Sequence, residues 1–423
     1  LDRFQISGGR TLRGRVRVAG AKNAALPALA AGLLTGDPLH LTNLPDVRDI
    51  ATMRRLLDHL SGEAPAPPQE APVLGEATIQ VRRIAEPEAP WELVRTMRAS
   101  VLVLGPLLAR AGRARVSLPG GCAIGERPVD LHITALRRMG ASIDLAHGYI
   151  DAHAPRLRGA EIDFEIPTVT GTENLMMAAS LADGTTVLRN CAKEPEITDL
   201  AGLLHSMGAR IRGAGGDTIE IEGVSALHGA EHRIPPDRIE AGTYILAALM
   251  AGDGVVVEGC AVDDLSAPLE LFREAGARIA EEDGAVRVEG GGRLLAKDIT
   301  TAPYPGFPTD LQAQYMAAMT QAEGASIVTE AIFENRFMHI GELRRMGADI
   351  THDGRTAVVR GPTQLSGAQV MATDLRASAS LVLAGLVADG ITEVNRVYHI
   401  DRGYESIESK LRALGADIER VSG

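Results

Sequence analysis

The chain has 423 residues, 45% of them apolar and only 3% aromatic, with 3 cysteines and a formal net charge of −12 at pH 7. That length suits two or three domains, each burying its own core. The acidic balance argues against a general nucleic-acid or anionic-membrane binder, because those depend on spread Lys/Arg surfaces, so an anionic ligand would need a locally basic pocket.

In chain order, the first strand-like segment is RFQISGG from Arg3, and no signal-peptide pattern precedes it. The helix AALPALAAGLL from Ala24 is apolar almost all round, as an element buried at a domain centre would be. A second helix, ending in LLDHLSGEA, stops at Gly62 and runs into EAPAPPQEAPV, residues 63–73, a proline-rich surface excursion. Apolar runs such as ASLVLAGLVA from Ala379 fall short of the roughly 18 to 20 residues of a membrane span, which predicts a cytoplasmic protein. None of the cysteines has C-x-x-C spacing, so no disulfide framework, metal site or cofactor is expected.

From Arg137 onward a motif recurs: RRMGASI, HSMGARI, REAGARI, RRMGADI and RALGADI, with Gly140, Gly208, Gly276, Gly347 and Gly415 spaced by 68, 68, 71 and 68 residues. Each copy has the form of a helix stopped by glycine and followed by a strand, and Gly62 supplies a degraded first copy, making six units. A second glycine ends an Ala/Leu-rich helix in every unit: Gly36, Gly112, Gly184, Gly254, Gly324 and Gly390. Two α/β domains of three units each are the natural partition, with helices inside and sheets outside, and Pro235 and Pro236 mark one crossover near residue 234.

Counting back 14 positions from each of these helix-ending glycines gives Lys22, Arg98, Thr170, Glu240, Asp310 and Arg376. Five of the six are charged in a chain where charged residues are 23%, a pattern readable either as functional helix ends or as solvated helix starts. Helix N-termini carry free amides and a positive dipole end, so Lys22, Arg98 and Arg376 there predict strong anion sites. Cys122, Cys191 and Cys260 recur at intervals of 69 and 69. Cys191 and Cys260 are read as small core residues. Cys122 differs, because Pro119, Gly120, Gly121 and Gly125 surround it with flexible chain and Arg127 would lower its thiol pKa toward neutrality. A thiol so tuned can donate a proton as well as attack.

Long motifs in order then carry a resemblance: GAKNAALP from Gly20, RTMRASVLVLGPLLAR from Arg95, PGGCAIGERPVDLH from Pro119, FPTDLQAQ from Phe307, FENRFMH from Phe333, DLRASASLVLAG from Asp374 and HIDRGYE from His399. Together they resemble the MurA family, the UDP-N-acetylglucosamine 1-carboxyvinyltransferases among the enolpyruvyl transferases. The resemblance implies an inside-out α/β barrel in each of two domains, residues 22–234 and residues 1–21 plus 235–423, with the active site in the cleft between them. It implies transfer of the enolpyruvyl group of phosphoenolpyruvate to the 3-hydroxyl of UDP-N-acetylglucosamine, releasing phosphate, as the first committed step of peptidoglycan synthesis. Those two compounds are the expected partners, without nucleic acid or membrane, and a monomer is favoured.

By motif match the resemblance makes Cys122 the proton donor, able to form a covalent adduct with phosphoenolpyruvate and to be alkylated by the epoxide fosfomycin. It makes Asp310 the carboxylate at the sugar hydroxyl and candidate base, and Lys22 and Asn23 the phosphoenolpyruvate-binding pair. Arg127, Arg376 and Arg402 match cations around the phosphate and carboxylate, where guanidinium forks suit oxyanions. Arg98, Arg127, Pro128, Val129, Asp130, Leu131, Thr168, Val169, Asp310 and Ile332 match contacts to the UDP-sugar. Arg336 is equally readable as structural or functional, and His132 and His399 as packing residues rather than bases. The related enzyme using shikimate 3-phosphate lacks the PGGC-x-IG-x-RPVD loop, and a non-catalytic sugar-nucleotide binder would have no use for Lys22, Cys122 and Asp310.

Overall fold

The computed structural model describes residues 2–62, 75–118, 129–290 and 292–422. The proline-rich stretch 63–73, Cys122, Arg127 and Pro128 lie outside the described residues. The chain forms two compact units: one from the N-terminal segment up to Ala19 together with Pro236 onward, the other from Gly20 to Pro235. Each has its own apolar core, the first around Phe4, Tyr244, Tyr315 and Leu383, the second around Leu29, Leu104, Met176 and Leu203.

In the Gly20–Pro235 unit, the helices Lys22–Ala31 and Leu104–Ala111 each pack against Val169–Ala179, and Lys22–Ala31 also meets the 3₁₀ turn Arg98–Val103. Ala, Leu and Met occupy most of their positions, so nearly every face can be buried; from Ala24 to Ala31 and from Gly171 to Ala179 no residue is exposed. Three sheets belong to this unit, with strand order by residue number 231–233/39–42/76–79, 88–89/113–117/149–153/142–146 and 210–212/218–222/185–189/161–163. Their strands alternate: in Thr218–Glu222, Ile219 and Ile221 are buried while Thr218, Glu220 and Glu222 face water, the period a one-sided sheet requires.

The other unit repeats the plan. Helices Arg238–Ala251, Gln312–Met319 and Leu375–Val387 pack together, and three four-stranded sheets accompany them. The N-terminal segment supplies two of their strands. Arg3–Ser7 pairs antiparallel with both Ile391–Asn395 and Asp417–Val421, and Leu12–Arg17 pairs parallel with Gly252–Glu258.

Two glycines show why the sequence punctuates as it does. Gly208, with φ of 101°, closes the helix Pro195–Ser206 and turns the chain into the strand Arg210–Arg212, a conformation that a side chain would strain. Gly20 sits where the chain leaves one unit for the other, and a Cβ there would meet the Asn43 carbonyl oxygen at 1.8 Å. Beside it the Asp237 amide donates to the Ala19 carbonyl (2.9 Å) and the Ala21 amide to the Pro235 carbonyl (2.7 Å). No helix among the described residues is long and apolar enough to cross a membrane.

Candidate active site

The six positions picked out by counting all fall at the start of central helices. Lys22 is the first residue of its helix, Arg98 opens the 3₁₀ turn Arg98–Val103 that leads into Leu104–Ala111, and Thr170 is second in its helix. Glu240 is third and Arg376 second in theirs, and Asp310 lies in the turn Thr309–Leu311 before Gln312. The expectation of free amides at these ends needs correction. The Asp237 carboxylate accepts from the amides of Ile239 and Glu240, Asp374 from those of Arg376 and Ala377, and the Thr168 hydroxyl from that of Gly171. A capping oxygen satisfies donors that an anion would otherwise use, so at those helices recognition falls to side chains. The Lys22 helix has no side-chain cap and no acidic residue in its first turn.

Asp310 sits between two arginines. Its Oδ1 accepts from Arg336 Nη2 (2.8 Å), and its Oδ2 from Arg376 Nε (3.3 Å) and Nη2 (3.2 Å). The arginine side chains are 5% and 3% exposed, whereas Asp310 is 26% exposed, so the carboxylate is the member of the trio open to a ligand. Arg336 also donates from Nη1 to Thr309 Oγ1 (2.7 Å), contacts that suit either the structural or the functional reading of it. Arg376 Nη1 is buried without a hydrogen-bond partner, and its guanidinium lies 5.3 Å from the centre of the Tyr404 ring. Burial opposes its charge, but Tyr404 and Asp310 more than offset that and hold its pKa above the usual value. Around the trio, Gln314 Nε2 donates to the Asp310 carbonyl (3.0 Å), to Thr243 Oγ1 (3.2 Å) and to Tyr404 Oη (3.1 Å).

In the same unit Arg402 ends the 3₁₀ turn Val397–Arg402, half-buried. The residue before it, Asp401, is gripped by Arg420 through Nη2 (2.6 Å) and Nη1 (3.1 Å). Ile332 is half-buried, its amide donating to Glu330 Oε1 (2.9 Å). His399 has its pKa lowered by burial and by Arg402, and buried His339 is pushed down to about 4, chiefly by burial. Both therefore stay neutral near pH 7.

In the Gly20–Pro235 unit, Lys22 Nζ lies 3.3 Å from Asp49 Oδ2, both side chains nearly buried, and Asn23 beside it is half-buried. Asp49, in the first turn of the helix Arg48–Ser61, was not singled out by the sequence because it falls outside the 14-residue register. Arg98 is half-buried and lies close enough to His132 to depress it: with burial as the larger cause, His132 is lowered to about 4. Asn174 explains the tautomer. Its Oδ1 accepts from the Gly105 amide (2.7 Å), so Nδ2 is the donor facing His132 Nδ1 (2.9 Å), and that ring nitrogen carries no proton. His132 is thus the packing histidine the sequence suggested.

Val129 precedes the helix Asp130–Arg138, and Asp130 and Leu131 line a cavity of about 150 Å³ with Ile162, Phe164 and Glu165. Thr168 and Val169 follow that last segment at the start of their helix, so these expected sugar contacts lie on neighbouring pieces of chain. Cys191 and Cys260 are buried, their thiols pushed up to about 11 and about 12 by burial, as inert core sulfurs should be. Among the described residues no group of three His, Cys, Asp or Glu side chains could hold a metal ion.

The family model described as EPSP synthase (3-phosphoshikimate 1-carboxyvinyltransferase) matches residues 6–411. Among curated relatives, a UDP-N-acetylglucosamine 1-carboxyvinyltransferase from Koribacter versatilis is 59% identical over 421 residues, covering 100% of this chain and 97% of that protein. Proteins of the same name from Anaeromyxobacter sp. and Granulibacter bethesdensis are 57% and 58% identical, covering 99% and 100% of this chain and 99% and 100% of their own. Among solved structures, the enolpyruvyl transferase NikO from Streptomyces tendae is similar with a TM-score of 0.89 at 27% identity, covering 100% of this chain and 99% of its own. EPSP synthase from Acinetobacter baumannii shares the fold, with a TM-score of 0.75 at 19% identity over 100% of both chains.

Proposed function

The chain belongs to the EPSP synthase family of carboxyvinyltransferases, and on that footing we propose that it transfers the enolpyruvyl group of phosphoenolpyruvate to the 3-hydroxyl of UDP-N-acetylglucosamine, releasing phosphate in the first committed step of peptidoglycan synthesis. The observation that carries the choice of acceptor is identity of 59% along essentially the whole chain to a protein named for that activity. Cytoplasmic action fits both substrates and the lack, among the described residues, of a helix able to span a membrane.

The chemistry assigns the parts. Addition needs a proton at the enolpyruvyl methylene, loss of a proton from the sugar hydroxyl and cations around a phosphate and a carboxylate; elimination then takes a proton back from the methyl group so formed, restores the carbon–carbon double bond and breaks the carbon–oxygen bond to phosphate, which leaves as inorganic phosphate. Cys122 delivers the proton, Lys22 with Asn23 and Arg127 hold the phosphate, and Arg376 and Arg402 hold the carboxylate. Asp310 takes the sugar proton. To do so, one of its oxygens must exchange an arginine for the hydroxyl. Its contacts to Arg376, at 3.2 and 3.3 Å, are longer than the 2.8 Å contact to Arg336, so Oδ2 is the side that opens and Arg376 is released toward the anion. Arg98, Val129 to Leu131, Thr168, Val169 and Ile332 contact the UDP-sugar, together with Pro128.

Among the described residues, six sheets and six central helix starts support a reading as six repeated units, three per domain, with the inside-out barrel of the family and domains of residues 22–234 and of residues 1–21 plus 235–423. Phosphate release on mixing the chain with phosphoenolpyruvate and UDP-N-acetylglucosamine tests the function. Release with shikimate 3-phosphate instead, or with neither acceptor, overturns it.

A further inference from the structure

Glu330 follows the strand Gly324–Thr329 and is 1% exposed, yet no cation neutralises it directly in the hydrogen bonds it makes. Its Oε1 accepts from Thr301 Oγ1 (2.9 Å) and from the amides of Ile332 (2.9 Å) and Phe333 (3.1 Å), and its Oε2 accepts from Thr309 Oγ1 (2.9 Å). Thr309 Oγ1 in turn accepts from Arg336 Nη1, and Arg336 Nη2 reaches Asp310 Oδ1. One buried carboxylate therefore ties together the turn that carries Asp310, the loop that carries Ile332 and, through a single hydroxyl, the arginine that orients Asp310. Burying a carboxylate is expensive unless several donors meet it, and an apolar residue would fill the same space without that cost. The arrangement serves geometry more than core stability.

We propose that Glu330 is a positioning residue for the transfer step: it fixes Asp310 and Ile332 in one register, so that a sugar held at Ile332 presents its hydroxyl to the carboxylate. The inference rests on the reading of Asp310 and Ile332 given above. It distinguishes the acceptor side of the reaction from the donor side, because Glu330 has no bond to Lys22 or Arg376.

Three variants of the full-length chain test it: Glu330→Ala, Glu330→Gln and Thr309→Val, assayed by phosphate release with each substrate varied in turn and by thermal unfolding. Misplacement of a reacting group by about 1 Å costs on the order of 10²-fold in rate, so Glu330→Ala loses that much kcat/KM for UDP-N-acetylglucosamine. Glu330→Gln keeps one acceptor oxygen but presents an amide to Thr309, and Thr309→Val removes the shared hydroxyl; each loses roughly tenfold. The KM for phosphoenolpyruvate shifts by less than about threefold in all three. Thr309→Val decides the matter if the Glu330 variants do not fold. A KM for phosphoenolpyruvate raised as much as that for UDP-N-acetylglucosamine, or wild-type kinetics in folded Glu330→Ala and Thr309→Val, overturns the proposal. Asp310→Asn run alongside separates the two readings: full turnover there overturns the role of Asp310 and this proposal with it. An inactive Asp310→Asn beside fully active Glu330 and Thr309 variants overturns the positioning role alone.

Discussion

Replacing Arg376 with methionine separates what that arginine does for the fold from what it does for a ligand. In the free protein its bonds to Asp310, at 3.2 and 3.3 Å, are long for charge-assisted contacts and are worth about 1.5 kcal/mol together, and the Tyr404 ring at 5.3 Å adds about 1 kcal/mol. Against this, Nη1 is buried without a partner, a penalty of about 1 to 3 kcal/mol that methionine removes while filling a similar volume. The sum lies within about 2 kcal/mol of zero, so Arg376→Met shifts the unfolding midpoint by less than roughly 8 °C. Binding is offset only by the about 1.5 kcal/mol of Asp310 contacts that Arg376 gives up. Two charge-assisted bonds to an oxyanion at about 1.5 to 3 kcal/mol each, less that cost, correspond to roughly 10- to 10³-fold in kcat/KM for phosphoenolpyruvate. Initial-rate phosphate release and thermal unfolding on the same preparation measure both. A midpoint lowered by more than about 10 °C, with kcat/KM of the folded protein unchanged, would refute the reasoning, since it would make Arg376 a structural residue.

Cys122→Ser loses most turnover whereas Cys122→Asp keeps part of it, because a carboxylic acid can still carry the proton; an inactive Asp variant beside a fully active Ser variant contradicts the donor role. Peptide mass spectrometry after fosfomycin treatment finds one adduct, on Cys122. Cys191→Ala and Cys260→Ala keep nearly full activity, and with thiols raised to about 11 and about 12 neither sulfur reacts with iodoacetamide at pH 8 on the timescale of an ordinary free cysteine. His132 and His339, each lowered to about 4 in the folded chain, bind a proton in the unfolded chain first, near its ordinary value of about 6.5. Their contribution to stability is present above pH 6.5 or so and is lost as pH falls toward about 4, by about 1.4 kcal/mol per pH unit for each histidine. Urea unfolding at pH 7 and pH 5 measures the drop, which His132→Gln reduces; a stability independent of pH across that interval would show that these rings are not held neutral.

The helix starts were legible in the sequence because their signals are local. Of the six glycines read as helix ends only Gly112 caps its helix, while Gly254 and Gly324 lie in the strands Gly252–Glu258 and Gly324–Thr329; because the helix-to-strand connection has nearly constant length, counting back from them still reached Lys22, Glu240 and Arg376 within two residues of each helix start. The two-domain α/β architecture followed from the same spacing. What the sequence hid were partners brought in by tertiary pairing. Glu330 looks like any of 55 acidic residues until Thr301, Thr309 and the amides of Ile332 and Phe333 converge on it. Asp49 reaches Lys22 from another helix, and the tautomer of His132 depends on Asn174, 42 positions away. The caps are a different case. Asp237 and Asp374 are ordinary N-cap residues two or three places before the charged residue that the glycine spacing marks, and their carboxylates take the helix amides.

Those caps divide the labour of anion recognition. Where Asp374 occupies the amides of Arg376 and Ala377, the positive end of the helix is neutralised and an incoming anion would also meet a negative charge. Only a side chain reaching beyond the cap can bind there, and a guanidinium suits a planar carboxylate, which it can grip with two parallel bonds. At the Lys22 helix the situation is reversed: the residue before it is Ala21, nothing acidic lies in its first turn, and the ammonium group stands at the end of the chain's dipole rather than opposing a cap. A lysine at a positive helix end costs the fold roughly 0.3 to 1 kcal/mol, a cost that Asp49 partly offsets. A compact, multiply charged group returns that energy on binding, since it meets both the ammonium and the dipole, and a phosphate fits this description better than a carboxylate. The proposed division, phosphate to Lys22 and carboxylate to Arg376, thus follows from whether each helix is capped.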